Sequence, residues 1–427
     1  MGNWKKYLPL FIVLVNTMLC NGQDGAIGIQ EYPFVNYDLN RVEFFRDSLD
    51  FYSFYRKLDR LISTGKGKIN IVHFGGSHVQ ADIWTNTLRE NFNQFINQKQ
   101  AARGWVYPYK IGHPKSNNNP SNYSFTSTGR WEGCRAVGSQ CNGNLGMNAA
   151  QTTTYDSGST FTFTLHQTGK TEYMFDRIKV FHDMHHQSYE LGLDSPYFAK
   201  QIIINRQGGY TEFIFEQPMT QVTFKCLKTD SLQNVFTLFG LFSDLDAPGI
   251  NYNAVGANGA SVPTYLKCNL LEQQLAAIKP DLIIFSVGIN DAFAPDFCQL
   301  CYERNYQEWI KVVKRAAPNA AIMFTTNSDS YKKGRKGRFY RNVSGLDVKA
   351  AMQNLSYQYN AAVWDMFSVM GGLGSMEFWV RNGMANGRDR VHFSSSGYRL
   401  LGDLMFNAFI RKYEDYLKSP IARIKHD

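Results

Sequence analysis

A short apolar, β-prone run, Ile69-Asn70-Ile71-Val72, leads directly into His73-Phe74-Gly75-Gly76-Ser77-His78-Val79-Gln80-Ala81-Asp82. A strand that ends in glycines and then a serine constrains the fold more than any other stretch of the chain. It sets a hydroxyl at the carboxyl edge of a parallel sheet, where α/β proteins put their chemistry. Far downstream, Asp389-Arg390-Val391-His392-Phe393 holds a carboxylate and an imidazole three residues apart. Together these residues offer a nucleophile, a base and a group that orients the base, which makes the chain a candidate hydrolase.

With 427 residues the chain exceeds one ordinary core and implies two units. Val42, Phe45, Leu49, Tyr52, Tyr55, Leu58, Leu61 and Ile62 recur at helical spacing, so 41–62 is expected to be helical. A strand at 69–74 and a helix over 81–96 follow. From about Gly104 the pattern changes. Residues 115–160 are rich in Asn, Ser, Gly and Thr, and short alternating runs come next at 161–165, 177–181, 201–205, 212–216, 221–225 and 236–240. Strands at this spacing predict an antiparallel sandwich or jelly roll. After Pro248-Gly249 the helix and strand alternation resumes, with helices at 265–278, 306–316 and 347–359 and strands at 282–287, 320–325 and 361–363. A closing helix is expected over 398–417. The predicted organisation is a leader at 1–22, an α/β part at 23–104, an inserted β-domain at 105–248 and a second α/β part at 249–427.

The leader reads as a secretory signal: Lys5 and Lys6 precede an apolar stretch from Leu8 to Leu19 that is short for a membrane span. The expected location is therefore beyond the inner membrane, in the periplasm or at the cell surface. Acylation of Cys20 is the weaker alternative, since Thr17-Met18-Leu19 lacks the small residue expected beside a lipidated cysteine. No later run predicts stable membrane insertion. The net charge of +9 falls by two, to +7, without Lys5 and Lys6, which favours anionic polymers as surroundings. Nucleic acid is not an expected partner, and the basic run Lys332 to Arg338 reads first as a solvated loop.

Six of the seven cysteines follow the leader. Cys134 and Cys141 are the best disulfide pair, and Cys298 with Cys301 either closes a tight loop or forms a redox pair. Cys226 and Cys268 fall in apolar contexts and are expected as buried free thiols. His182-Asp183-Met184-His185-His186 looks at first like a metal cluster but lacks a second ligand set, so a hydrated loop is expected and no metal or other cofactor is predicted. His73 and His78 flank Ser77 and are expected to pack rather than react. Trp131 and Trp379 are read first as core, with stacking on sugars as the alternative.

Four blocks now stand in order: Gly75-Gly76-Ser77, Val255-Gly256-Ala257-Asn258-Gly259-Ala260, Gly288-Ile289-Asn290-Asp291 and Asp389-Arg390-Val391-His392-Phe393. They resemble the four blocks of the SGNH (GDSL-type) hydrolase family, over roughly residues 40–104 and 249–417. The resemblance implies an α/β three-layer sandwich with a parallel sheet, interrupted here by the all-β insert. It also implies Ser77 as nucleophile, His392 as general base and acid, and Asp389 as the group that orients His392. The N–H groups of Ser77 and Gly259 and the amide of Asn290 would then form the oxyanion hole, with Gly256 a rival to Gly259. Gly76 departs from the pattern, where the family usually has Asp.

A β-domain between the serine and glycine blocks is similar to the layout of peptidoglycan O-acetylesterases within the family. Phe239 to Asp244 and Met370 to Met376, followed by Trp379, are looser points of likeness. The function implied is a secreted serine acetylesterase acting on an acetylated polysaccharide, peptidoglycan first. The alternatives are a lipid-directed esterase or lysophospholipase, a glycan O-acyltransferase of the same fold, and a catalytically silent glycan-binding protein.

Overall fold

The computed structural model describes residues 25–423 apart from 48, 139 and 140. The expected leader and Cys20 lie outside the described residues. A six-stranded sheet forms the centre, in the order 42–44, 362–364, 321–325, 282–286, 68–75 and 249–256. Neighbours are parallel except 42–44, which runs antiparallel to 362–364 at one edge.

Each strand alternates its side chains between two apolar layers. Ile69, Ile71, Ile284 and Met323 face one layer, with Phe51 and Leu58 of helix 49–64, Trp84 and Leu88 of helix 83–95, and Leu401 and Leu404 of helix 395–418. Val72, Phe74, Ile283, Phe285 and Phe324 face the other, with Leu275 of helix 271–278, Trp309 of helix 299–316 and Met352 of helix 344–358. This is a three-layer sandwich whose strands are buried on both faces, which accounts for their continuous apolar runs.

Between strands 68–75 and 249–256 the chain builds two antiparallel sheets. One follows the order 201–205, 210–219, 175–182, 236–244, 150–154 and 131–135, with 104–106 paired to 236–244. The other follows 190–193, 221–227, 160–165 and 123–127. All six alternating runs read from the sequence are strands. Their inward residues meet in one core: Phe161, Phe163, Val222 and Phe224 from the smaller sheet against Ile178, Val180, Phe213 and Leu238 from the larger.

The structure corrects three element boundaries. Residues 42–44 form the edge strand rather than the first turn of a helix, because they pair with 362–364. The helix expected over 81–96 is broken at Asp82, whose φ of 52° is left-handed, into Ser77–Gln80 and Ile83–Phe95. The helix expected over 265–278 is two pieces, Val262–Tyr265 and Leu271–Ile278. Cys134 is bonded to Cys141 and Cys298 to Cys301, while Cys226 and Cys268 are free and buried. Among the described residues, no helix is long and apolar enough to cross a membrane.

Candidate active site

The strands 249–256, 68–75 and 282–286 are neighbours, and each of the three upstream sequence blocks lies at the carboxyl end of one of them. Ser77 is the first residue of the one-turn helix Ser77–Gln80. Its N–H therefore has no acceptor within that helix. This turn folds tightly back over the strand ends. A Cβ on Gly75 would lie 2.2 Å from Val79 Cγ2, and one on Gly256 would lie 2.1 Å from the backbone N of Gln80. Only glycine permits that approach. Gly256 is thus a packing glycine, and its carbonyl accepts from Tyr109 Oη at 2.8 Å and Asn148 Nδ2 at 2.9 Å.

Ser77 Oγ lies 2.8 Å from His392 Nε2, and His392 Nδ1 lies 3.0 Å from Asp389 Oδ2. Asp389 Oδ1 accepts the N–H groups of Val391 at 2.9 Å and His392 at 3.1 Å, and Oδ2 accepts Asn386 Nδ2 at 3.0 Å. Burial pushes the Asp389 carboxyl up, but the hydrogen bonds from the His392 ring and these N–H groups outweigh it and hold the group below its ordinary range. An ionised carboxylate only accepts, so Nδ1 carries the proton and Nε2 presents its lone pair to the serine hydroxyl. The turn that makes this possible runs through Arg390 at φ 54°. Its guanidinium is tied to Glu377 at 2.5 Å and lies 4.5 Å above the Phe339 ring.

Asn290 comes from the turn after strand 282–286, and a Cβ on Gly76 would sit 3.2 Å from its Nδ2. The amide therefore lies against the residue preceding Ser77. It donates one hydrogen to Ala260 O at 2.8 Å, which fixes its orientation and leaves the second N–H for another acceptor. Gly259 has φ 78°, and its loop is held from several directions. Gln80 Oε1 accepts the Asn258 N–H at 2.7 Å, Asn258 Nδ2 donates to Asn117 O at 2.7 Å, and Arg135 Nη2 donates to Asn258 O at 2.6 Å. Among the described residues, no hydrogen bond is made by the Gly259 N–H. The expected set of Ser77, Asp389, His392, Gly259 and Asn290 is brought to one corner of the sheet edge.

Gln80, Arg135 and Asn117 were not picked out from the sequence. Gln80 carried a usable signal, being three residues past Ser77 and so on the same face of a helical turn. Beneath the site, Asp82 is fully buried with Arg89 Nη2 at 3.1 Å, Arg103 Nη2 at 2.6 Å and Asn122 Nδ2 at 2.6 Å.

The remaining candidates pack. His73 bridges Tyr252 Oη at 2.8 Å and Ser286 Oγ at 2.5 Å, and His78 Nδ1 meets Tyr398 Oη at 2.7 Å. Burial lowers both imidazoles to about 3. His182 is engaged by Asp183 O and Thr211 Oγ1, and among the described residues no group of three or more His, Cys, Asp or Glu is set to hold a metal ion. Trp379 is fully buried with its Nε1 on Met370 O at 2.9 Å, and Trp131 is half-buried with its Nε1 on Thr128 O at 2.9 Å.

The GDSL-like lipase/acylhydrolase family model matches residues 240–400. That span contains Gly259, Asn290, Asp389 and His392 but not Ser77, which lies on the far side of the inserted sheets. A solved peptidoglycan O-acetylesterase is similar over 88% of this chain and 99% of its own, at 20% identity and a TM-score of 0.71. An acetyl xylan esterase is matched over 37% of this chain and 79% of its own at 20% identity with a TM-score of 0.29. A family two carbohydrate esterase from Cellvibrio japonicus is matched over 68% of this chain and 100% of its own at 12% identity with a TM-score of 0.28. No curated protein matches the chain. The first of these likenesses extends through the inserted sheets as well as the sandwich, so the fold is an SGNH sandwich carrying an inserted β-domain.

Proposed function

We propose that the chain is a secreted serine acetylesterase of the GDSL-like lipase/acylhydrolase family that removes O-acetyl groups from a polysaccharide, with peptidoglycan the first choice. The observation that carries the reading is the continuous chain Ser77 Oγ, His392, Asp389, at 2.8 and 3.0 Å, beside the Asn290 amide. The likeness in layout to a peptidoglycan O-acetylesterase supports the substrate class.

In this reading Ser77 Oγ attacks the acetyl carbonyl carbon while His392 Nε2 takes its proton. The carbonyl oxygen becomes an oxyanion facing the N–H groups of Ser77 and Gly259 and the free N–H of Asn290. As the C–O bond to the sugar breaks, His392 returns the proton to the leaving sugar oxygen. Acetyl-Ser77 remains. Water, deprotonated by His392, then attacks it, acetate leaves, and Ser77 regains its proton. Asp389 stays ionised throughout and steadies the imidazolium. The domain division inferred from the sequence, with residues 105–248 as a glycan-orienting insert, belongs to the same proposal.

The test is acetate release from O-acetylated peptidoglycan by wild type and Ser77→Ala. The expected result is release by wild type that falls by about 10⁴-fold or more in the variant. Cleavage of small acetyl esters without release from the polymer would discard peptidoglycan and keep the triad. Equal release by both proteins would discard the triad. A series of p-nitrophenyl esters is expected to show turnover falling steeply beyond acetate and propionate.

A further inference from the structure

The Cys298–Cys301 disulfide stands at the start of helix 299–316, in the connection that follows strand 282–286. Both cysteines are exposed, and no step of ester hydrolysis uses them. Cys298 is the N-cap of the helix, and the backbone N–H of Cys301 donates to its Sγ at 3.1 Å. The 18-residue helix points its other unpaired first-turn N–H groups and the positive end of its dipole to the same place, and its first turn holds no acidic residue. A sulfur so placed is stabilised as a thiolate once the bond opens. A stabilised thiolate is also a good leaving group, so exchange through such a sulfur is fast. We propose that Cys298–Cys301 is a thiol–disulfide exchange site that takes a dithiol as its substrate, an activity separate from ester hydrolysis.

The other described cysteines set this pair apart. Cys134–Cys141 is half-buried, with Cys141 packed against the apolar layer that holds Phe74 and Trp309. Cys226 and Cys268 are buried, and burial pushes their thiols up to about 12, so they hold no competing thiolate. In the exchange, one thiolate of the dithiol attacks Cys298 Sγ. The protein S–S bond breaks, and Cys301 leaves as a thiolate. The second thiolate of the dithiol then attacks the dithiol's own sulfur in the mixed disulfide and expels the Cys298 thiolate. The dithiol is oxidised by two electrons to a disulfide, and the protein disulfide is reduced by two electrons to a pair of thiols. Two protons pass through solvent from the dithiol to the protein sulfurs. The sulfur expelled last is the one that the helix stabilises, and in the reverse direction it is the nucleophile.

The test treats the folded protein with dithiothreitol, alkylates it at intervals and reads the labelled cysteines by peptide mass spectrometry. The expected result is opening of Cys298–Cys301 about tenfold or more faster than Cys134–Cys141. Reduced Cys298 in Cys301→Ser is expected to form a mixed disulfide with oxidised glutathione about tenfold or more faster than Cys301 does in Cys298→Ser. Hydrolysis of p-nitrophenyl acetate within about twofold of wild type reports that both variants are folded. If a variant loses that turnover, the alkylation of wild type decides alone. A reduced peptide bearing Cys-x-x-Cys is the second probe. Opening faster than by dithiothreitol at equal concentration assigns the dithiol to a polypeptide partner, and opening no faster assigns it to a small molecule. A pair that stays closed in the folded protein, or two disulfides that open at the same rate, makes the bond a structural clasp and overturns the proposal. Equal reactivity of Cys298 and Cys301 in the two folded variants overturns it as well.

Discussion

In the proposed mechanism, Asn290 serves both structure and chemistry. Its bond to Ala260 O at 2.8 Å sets the amide plane, and the remaining N–H is aimed without any reorganisation when charge develops. Asn290→Ala is expected to lower kcat on p-nitrophenyl acetate by about 10²–10³-fold with little change in KM. A loss of under about threefold would remove Asn290 from the oxyanion hole. The glycine at position 76 fits the same local economy of space. A Cβ there would press to 3.2 Å on the Asn290 amide, so the departure from the usual Asp leaves that amide unobstructed. Ser77, Asp389 and His392 were legible in the sequence because each belongs to a short block with its own signature. Gln80 and Arg135 were not, because what gives them meaning lies 178 and 123 residues away.

Among the elements, the Gly259 loop is held by both parts of the molecule. Gln80 reaches it from the turn after Ser77, and Arg135 reaches it from strand 131–135 of the inserted sheets. Val137, just beyond that strand, stands where a Cβ on Gly259 would come within 2.9 Å. Arg135→Ala is expected to reduce kcat about tenfold on a small ester and on polymer alike, with KM unchanged, because it frees the loop without touching the substrate. Equal kcat in wild type and variant would show that the loop keeps its place unaided. Element type was readable wherever periodicity was strong, as in the six strands of the insert and the buried strand 282–286. It failed where a distant partner overrode local preference. Val42 and Phe44 fit a helical stripe, yet they pair with Trp364 and Ala362. Asp82 stands inside a helical pattern, yet its carboxylate is claimed by Arg103 and Asn122, and the helix breaks there.

The molecule as a whole buries imidazoles that must stay neutral. Burial lowers His73 and His78 to about 3 and His182 to about 4, whereas the ordinary value is 6.5. The unfolded chain therefore binds these protons first. The stability they contribute is complete above about pH 6.5 and is lost as pH falls toward the folded values. Asp291 works in the opposite sense. Burial raises it from 3.8 to about 7, so its contribution is complete below about pH 4 and declines as pH rises through 7. Among the acid-range groups displaced furthest, three imidazoles stand against one carboxyl, which predicts a Tm that falls as pH drops from about 6.5 to 4. Calorimetric scans across that range check it, and a flat or rising Tm would show that the buried histidines do not govern acid stability. Spacing on the chain has a further consequence. Ser77 meets the His392 imidazole across 315 residues, with the whole insert between them. A ribosome makes the hydroxyl early and the imidazole late, so in the proposed mechanism the growing polypeptide carries a serine without its base until His392 has been added and the closing helix has docked.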